Sequence, residues 1–227
     1  PIEEGVDYAL QVLAALAQAH SVDIVHRDLK PANVFLSKGL GGVLSAKVLD
    51  FGVSKMLGAA SQRLTRTGAV VGTVAYMAPE QMMDAKRVDG RADLWSAGLV
   101  LYESLAKTHP FGAAAQGPKV VTSILNDPIP LIRTHRPDVP PELEAVIARM
   151  LQKAPDLRYG SAREVASVLA PFGSVRARPV LDEIRRAPPP SGAAAPGAGS
   201  ARGVGRASIP PPSSSRAVPG STAKPAQ

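Results

Sequence analysis

The sequence contains no cysteine, which excludes a disulfide framework and any thiolate metal site and fits a reducing compartment. Long apolar runs are missing too. Runs such as Val12 to Ala17 and Ala97 to Leu101 fall far short of the roughly 20 residues that cross a bilayer. The opening residues Pro1, Ile2, Glu3 and Glu4 do not form a basic and then apolar leader. These absences set the expectation of a cytoplasmic chain, or of the cytoplasmic portion of a larger membrane-anchored protein, with no membrane segment of its own. What is present is ample for a core: 227 residues, 45% of them hydrophobic, enough for one domain and a tail. The net charge of +7 belongs mainly to the end of the chain. From Ser174 onward eight basic residues face only Asp182 and Glu183, which leaves +1 for everything before. The basic balance therefore describes a tail, and no specific nucleic-acid partner is expected.

Hydrophobic spacing outlines the elements. Val6, Leu10, Leu13, Leu16 and Ala17 recur at intervals of three and four, which predicts an amphipathic helix over residues 4–20. Ser21-Val22-Asp23 breaks it, and Ile24-Val25 reads as a brief strand. Residues 34–36 and 46–49 read as two strands, and the connection between them holds three glycines, so a hairpin is predicted. From residue 53 to 76 periodicity is lost. The helix predicted over 93–105 is apolar on nearly every face, hence buried. Further helices are predicted over 118–126, 141–152 and 162–169. After Gly173 the composition turns to Pro, Ala, Gly, Ser and Arg, with too few large apolar groups to offset the entropy of ordering. The expected organisation is one domain over 1–173 and a disordered linker or tail over 174–227.

The stretch His26-Arg27-Asp28-Leu29-Lys30-Pro31-Ala32-Asn33 gives this layout its chemistry. A carboxylate, an ammonium and a carboxamide fall within six positions, on a loop held by Pro31 and bounded by short apolar runs. Such a loop can aim Asp28 at a hydroxyl proton, Lys30 at developing negative charge and Asn33 at a metal ion, the needs of phosphoryl transfer. Asp50-Phe51-Gly52 lies 17 residues after Asn33, across the predicted hairpin. It offers a second carboxylate, an aromatic that can pack inward and a glycine free to adopt unusual dihedrals.

The first of these stretches resembles the catalytic loop H-R-D-x-K-x-x-N of eukaryotic-like protein kinases, and its Lys30-Pro31 pair is typical of the serine/threonine branch. Four further likenesses follow in the family's order. Asp50-Phe51-Gly52 is similar to the metal-binding triplet, and Ala78-Pro79-Glu80 to the end of the activation segment. Asp93-Leu94-Trp95-Ser96-Ala97-Gly98 resembles the start of the central helix, and Ala154 to Tyr159 the arginine segment near the end of the domain. The likeness covers about residues 1–172 and looks most like the bacterial serine/threonine kinases of the eukaryotic type. It implies a mainly α (α+β) fold, the large C-terminal kinase lobe with a small β-hairpin at the active site. ATP and Mg2+, or Mn2+ in its place, are the implied cofactors, and a protein bearing Ser or Thr is the implied substrate. Asp28 would be the catalytic base, Lys30 would steady the transferring phosphoryl group, and Asn33 with Asp50 would hold the metal. Thr65 and Thr67 would be sites of regulatory phosphorylation, reached by self-association, with Arg27 receiving the added phosphate. His26, Phe51, Gly52, Thr73, Glu80, Asp93 and Arg158 would give structural support. Within that set Thr73 would bond Asp28 and Lys30, Asp93 would brace the loop backbone, and Arg158 would pair with Glu80.

One expected part has no counterpart. No G-x-G-x-x-G, Val-Ala-Ile-Lys-like strand or partner glutamate stands before His26, and only 25 residues precede it, taken up by one helix. The small lobe that covers ATP is therefore not expected in this chain, nor more than weak nucleotide affinity from it alone. Two functions remain open: the large lobe of a working kinase, or a standalone lobe acting as a non-catalytic binding or regulatory module. Intact Asp28, Lys30, Asn33 and Asp50 favour the first, since a scaffold has no physical need of all four.

Overall fold

A computed structural model describes residues 1–39, 44–51, 74–84 and 88–188. All of them fall in one unit, Pro1–Ala193, and a second, Ala194–Gln227, lies outside the described residues. Helix α1 (Ile2–Ser21) carries Glu3 and Glu4 in its first turn and His20 in its last, charges that suit the two ends of a helix dipole. Its stripe of Val6, Leu10, Leu13 and Leu16 is fully buried, and each such side chain contributes about 1.5–3 kcal/mol. The chain then passes through Ile24 and Val25 without regular secondary structure. No strand forms there, contrary to the sequence reading, because the described sheet has only two strands and Ile24 stays exposed without an edge to pair with.

Strands β1 (Val34–Lys38) and β2 (Leu44–Val48) form the predicted hairpin. They pair antiparallel with Val34 opposite Val48 and Lys38 opposite Leu44. The free edge of β2 is held from α1: Gln11 Oε1 accepts the Ala46 N–H at 2.8 Å and the Ser45 hydroxyl at 3.0 Å. The hairpin is thereby tied to the helical body, which fixes where its two ends emerge.

A short helix α2 (Pro79–Met83) precedes the central helix α3 (Arg91–Ala106). Helix α3 buries Leu94, Trp95, Leu99, Leu101, Tyr102 and Leu105, as its all-round apolar pattern requires, and stops at Lys107 in the left-handed region, φ 58°. Helices α4 (Val120–Asn126), α5 (Pro141–Met150) and α6 (Ala162–Leu169) follow at the predicted places. Gly98 lets α5 approach α3: a Cβ there would lie 3.0 Å from Met150 and Leu151 side-chain atoms. The fold is thus the expected mainly helical lobe with one small hairpin.

The folded body continues past the boundary expected at residue 173. Helix α7 (Arg178–Arg186) packs against α1 and α6, with Ile184 buried and Val180 and Leu181 partly so. Asp7 of α1 accepts the Ser174 N–H at 2.8 Å and its hydroxyl at 2.6 Å. The physical reason is local. Val180, Leu181 and Ile184 make a three-to-four spacing that suffices to bury one face of a short helix, although the surrounding composition is poor in apolar residues. No helix among the described residues is long and apolar enough to cross a membrane.

Candidate active site

The loop that follows α1 is fastened by one buried carboxylate. Asp93, in the first turn of α3, is fully buried. Its Oδ2 accepts the His26 N–H at 2.8 Å and bonds His20 Nε2 at 2.7 Å, while Oδ1 accepts the Arg27 N–H at 2.8 Å. A buried carboxylate is tolerable only when hydrogen-bonded to this extent. The bonds also explain how Arg27 keeps φ at 63°, a strained region for a long side chain. Its N–H is held by Asp93 and its carbonyl accepts from Gln81 Nε2 at 3.0 Å. Gln81 in turn accepts the Ala78 N–H at 3.0 Å, so the loop is clamped from α3 on one side and α2 on the other.

His26 is completely buried and links the loop to the hairpin. Its Nδ1 accepts the Asp28 N–H at 3.3 Å, and its Nε2 lies 3.0 Å from the Leu49 carbonyl. A neutral ring protonated on Nε2 satisfies both contacts, a tautomer assigned from the network. Phe51 rests against the ring at 4.9 Å between centroids. The side chain of Asp28 is half-buried, and Lys30 Nζ reaches its Oδ2 at 3.2 Å. Pro31–Asn33 forms one 3-10 turn, where the fixed φ of proline suits the first position. Asn33 Nδ2 donates to the Asp28 carbonyl at 2.8 Å, which orients its amide.

The hairpin returns the chain to the loop. Leu49 donates its N–H to the Asn33 carbonyl at 2.9 Å, so Asp50, the next residue, emerges beside the Asn33 turn. Asp50 is exposed, with φ at 53°, a conformation that Asp tolerates better than most residues. The carboxylates of Asp28 and Asp50, the ammonium of Lys30 and the amide of Asn33 thus come from two connected segments with rigid support. Oxygen donors of this kind suit a hard divalent cation, and the ammonium beside Asp28 suits an anionic group.

Glu80 and Arg158 are brought together as expected. The guanidinium makes a two-pronged ion pair, 2.7 Å to each Glu80 oxygen, with the Arg158 side chain fully buried. Its remaining donors reach the carbonyls of Gln152 at 2.7 Å, Arg91 at 2.9 Å and Lys153 at 3.0 Å, so all five N–H groups of an arginine are used. The Trp95 ring lies 5.1 Å from the guanidinium carbon. Gly52, Thr65, Thr67 and Thr73 lie outside the described residues, and with them the groups expected to meet Arg27, Asp28 and Lys30.

Several supporting residues escape sequence reasoning. His20 had a readable signal: it continues the buried stripe of α1 after Leu13, Leu16 and Ala17, and a polar group on such a stripe needs a partner. Gln11 and Gln81 had none, since each is an ordinary polar residue until the neighbouring element is in place. Tyr76 donates a short hydrogen bond to Glu103 of α3, and Ser96 donates to the Tyr76 carbonyl at 2.8 Å. Burial, with that bond to Glu103, pushes the Tyr76 phenol well above its ordinary range, so it remains a neutral donor. These contacts set the segment just before α2 onto α3.

Comparison with known proteins follows the same outline. Residues 2–169 match the family model described as the protein kinase domain. The chain is 39% identical over 165 residues to the serine/threonine-protein kinase PknB of Mycolicibacterium smegmatis, covering 71% of this chain and 25% of that protein. It is 42% identical over 163 residues to Pkn1 of Myxococcus xanthus, covering 71% and 23%. The chain therefore spans about a quarter of the length of these curated relatives. Among solved structures, the kinase domain of Mycobacterium tuberculosis PknI aligns with a TM-score of 0.56 at 28% identity, over 76% of this chain and 56% of that one. A match running through most of a chain whose loop, hairpin and buried ion pair are arranged as described makes this protein a member of the protein kinase domain family, of the bacterial serine/threonine type.

Proposed function

We propose that this chain supplies the large-lobe half of a serine/threonine protein kinase active site, which moves the γ-phosphate of ATP to a Ser or Thr hydroxyl of a protein. The observation that carries the reading is the pairing of Asp28 with Lys30 at 3.2 Å on a loop whose backbone is pinned by Asp93. A hydroxyl delivered to the Asp28 carboxylate arrives within reach of the ammonium. Asp28 accepts the hydroxyl proton as the substrate oxygen bonds to the γ-phosphorus and the bond to the bridging oxygen of ADP breaks. Lys30 offsets the charge on the transferring oxygens. Asn33 and Asp50 hold the divalent cation, Mg2+ or Mn2+: the hydrogen bond from Asn33 Nδ2 to the Asp28 carbonyl leaves the amide oxygen for a cation, and the Asp50 carboxylate is exposed. When bound, that cation neutralises phosphate charge. Thr65 and Thr67 are the regulatory sites, phosphorylated in a second copy of the chain, and Arg27 receives their phosphate.

The metal assignment is tested by the divalent-ion dependence of the full-length protein. Asp50→Ala and Asn33→Ala each raise the Mg2+ concentration for half-maximal activity about 10- to 100-fold. An Asp50→Ala variant with undiminished activity and unchanged metal dependence contradicts the assignment.

A further inference from the structure

The peptide unit between Arg27 and Asp28 is planar, and its two polar atoms are held by different elements. Its N–H, that of Asp28, donates to His26 Nδ1 at 3.3 Å, a long bond. Its carbonyl, that of Arg27, accepts from Gln81 Nε2 of α2 at 3.0 Å. Arg27 itself sits at φ 63°, a conformation that persists only where the surroundings over-determine it. We propose that Gln81 is a positioning residue for phosphotransfer: it fixes the plane of this peptide, and with it the direction in which Asp28 points. The inference rests on the reading of Asp28 as the base.

The chain beyond Asp28 is fixed from within the loop. The Asp28 carbonyl accepts from Asn33 Nδ2 at 2.8 Å, and Leu29 is fully buried. On the near side the Arg27 carbonyl is held from α2, which is anchored elsewhere. Glu80, the neighbour of Gln81, is bound by Arg158 at 2.7 Å through each oxygen. Two residues before α2, the Tyr76 hydroxyl donates to Glu103 and the Tyr76 carbonyl accepts from Ser96, both of α3. Gln81 therefore carries the position of this anchored segment to the loop, and the buried ion pair gains a consequence for catalysis as well as for stability. The same side chain has a second bond, since its Oε1 accepts the Ala78 N–H at 3.0 Å at the start of α2. That helix cap needs only an oxygen, which glutamate supplies as well as glutamine does. The loop bond needs the amide nitrogen.

The substitution Gln81→Glu separates the two roles, because it keeps the capping oxygen and sets a carboxylate against the Arg27 carbonyl in place of the donor. In the full-length protein it is expected to lower kcat about 10- to 100-fold. The KM for ATP stays within about threefold, and a thermal melt shows the protein folded at the assay temperature. Gln81→Met, neutral and similar in size, loses cap and donor together and lowers kcat about 2- to 12-fold, the range for one net hydrogen bond. It decides the matter if Gln81→Glu does not fold. NMR of the 227-residue chain reads the same bonds without nucleotide: the Arg27 carbonyl carbon shifts in both variants, the Ala78 amide in Gln81→Met alone. The inference is overturned if kcat stays within twofold of the parent in Gln81→Glu, if the loss falls on KM with kcat unchanged, or if the Arg27 carbonyl signal does not move. An Ala78 amide displaced as far in Gln81→Glu as in Gln81→Met also overturns it, by assigning the side chain to the cap alone. A parent protein that transfers no phosphate contradicts the proposed function instead, and the Arg27 carbonyl signal then decides by itself whether Gln81 holds the peptide.

Discussion

Replacing Asp28 with Asn in the full-length protein is expected to lower kcat for phosphotransfer by about 10²- to 10⁴-fold, the usual contribution of a positioned general base. The fold should be untouched, because the backbone of Asp28 is what the structure uses: its N–H goes to His26 and its carbonyl accepts from Asn33. Its carboxylate meets the Lys30 ammonium, and an asparagine of the same shape can still accept from that group. The KM for ATP should stay within about threefold, since the loss falls on the transition state rather than on nucleotide binding. Steady-state kinetics with a thermal melt of the same preparation checks both halves. A kcat within tenfold of the parent, at unchanged melting temperature, removes Asp28 from the role of base.

The largest expected effect on stability comes from the Glu80–Arg158 pair. Arg158→Met removes the partner of a partly buried carboxylate and leaves the Gln152, Arg91 and Lys153 carbonyls without their donor. Breaking a buried pair on one side costs about 3–5 kcal/mol. For a folded body of this size that is a fall in Tm of roughly 6–20 °C. The double variant Glu80→Met/Arg158→Met should recover part of the loss, because no isolated charge is then buried. Urea unfolding followed by circular dichroism measures the parent, the single variants Glu80→Met and Arg158→Met, and the double variant. A loss below about 1 kcal/mol for Arg158→Met would mean that the pair is replaced by water without penalty. A double variant as unstable as the sum of the singles would deny the coupling.

Much of this arrangement was legible before any coordinates, and the reason differs by element. Helices α1 and α5 announced themselves through spacing, since the burial of one face leaves a 3.6-residue record in the chain, whereas α3 was marked by apolar residues on nearly every face. The hairpin was marked by apolar runs around a glycine-bearing connection, though its strands proved to be Val34–Lys38 and Leu44–Val48. Asp28, Lys30, Asn33 and Asp50 stood out because a reactive set on short loops has no packing role to explain it. The supporting polar contacts were legible only in part. Asp93 and Arg158 were expected through resemblance, yet the bonds of Gln11 to the Ala46 N–H and Ser45 hydroxyl, and of Gln81 to the Arg27 carbonyl, depend on elements far away in sequence. Helix α7 was hidden by its surroundings. A three-residue apolar stripe carries little signal within a Pro- and Arg-rich stretch, and it gains meaning only when α1 offers a surface to cover it.

The decisive measurement is transfer itself. The full-length protein is incubated with Mg2+ and ATP labelled at the γ-phosphate, and the labelled protein is hydrolysed for phosphoamino-acid analysis. The expected result is label in phosphoserine or phosphothreonine, on the protein itself or on an added acceptor, that vanishes in Asp50→Ala. Label no higher than in that variant, with Mg2+ and with Mn2+ alike, would contradict the reading of residues 26–50 as the metal-assisted half of a kinase site.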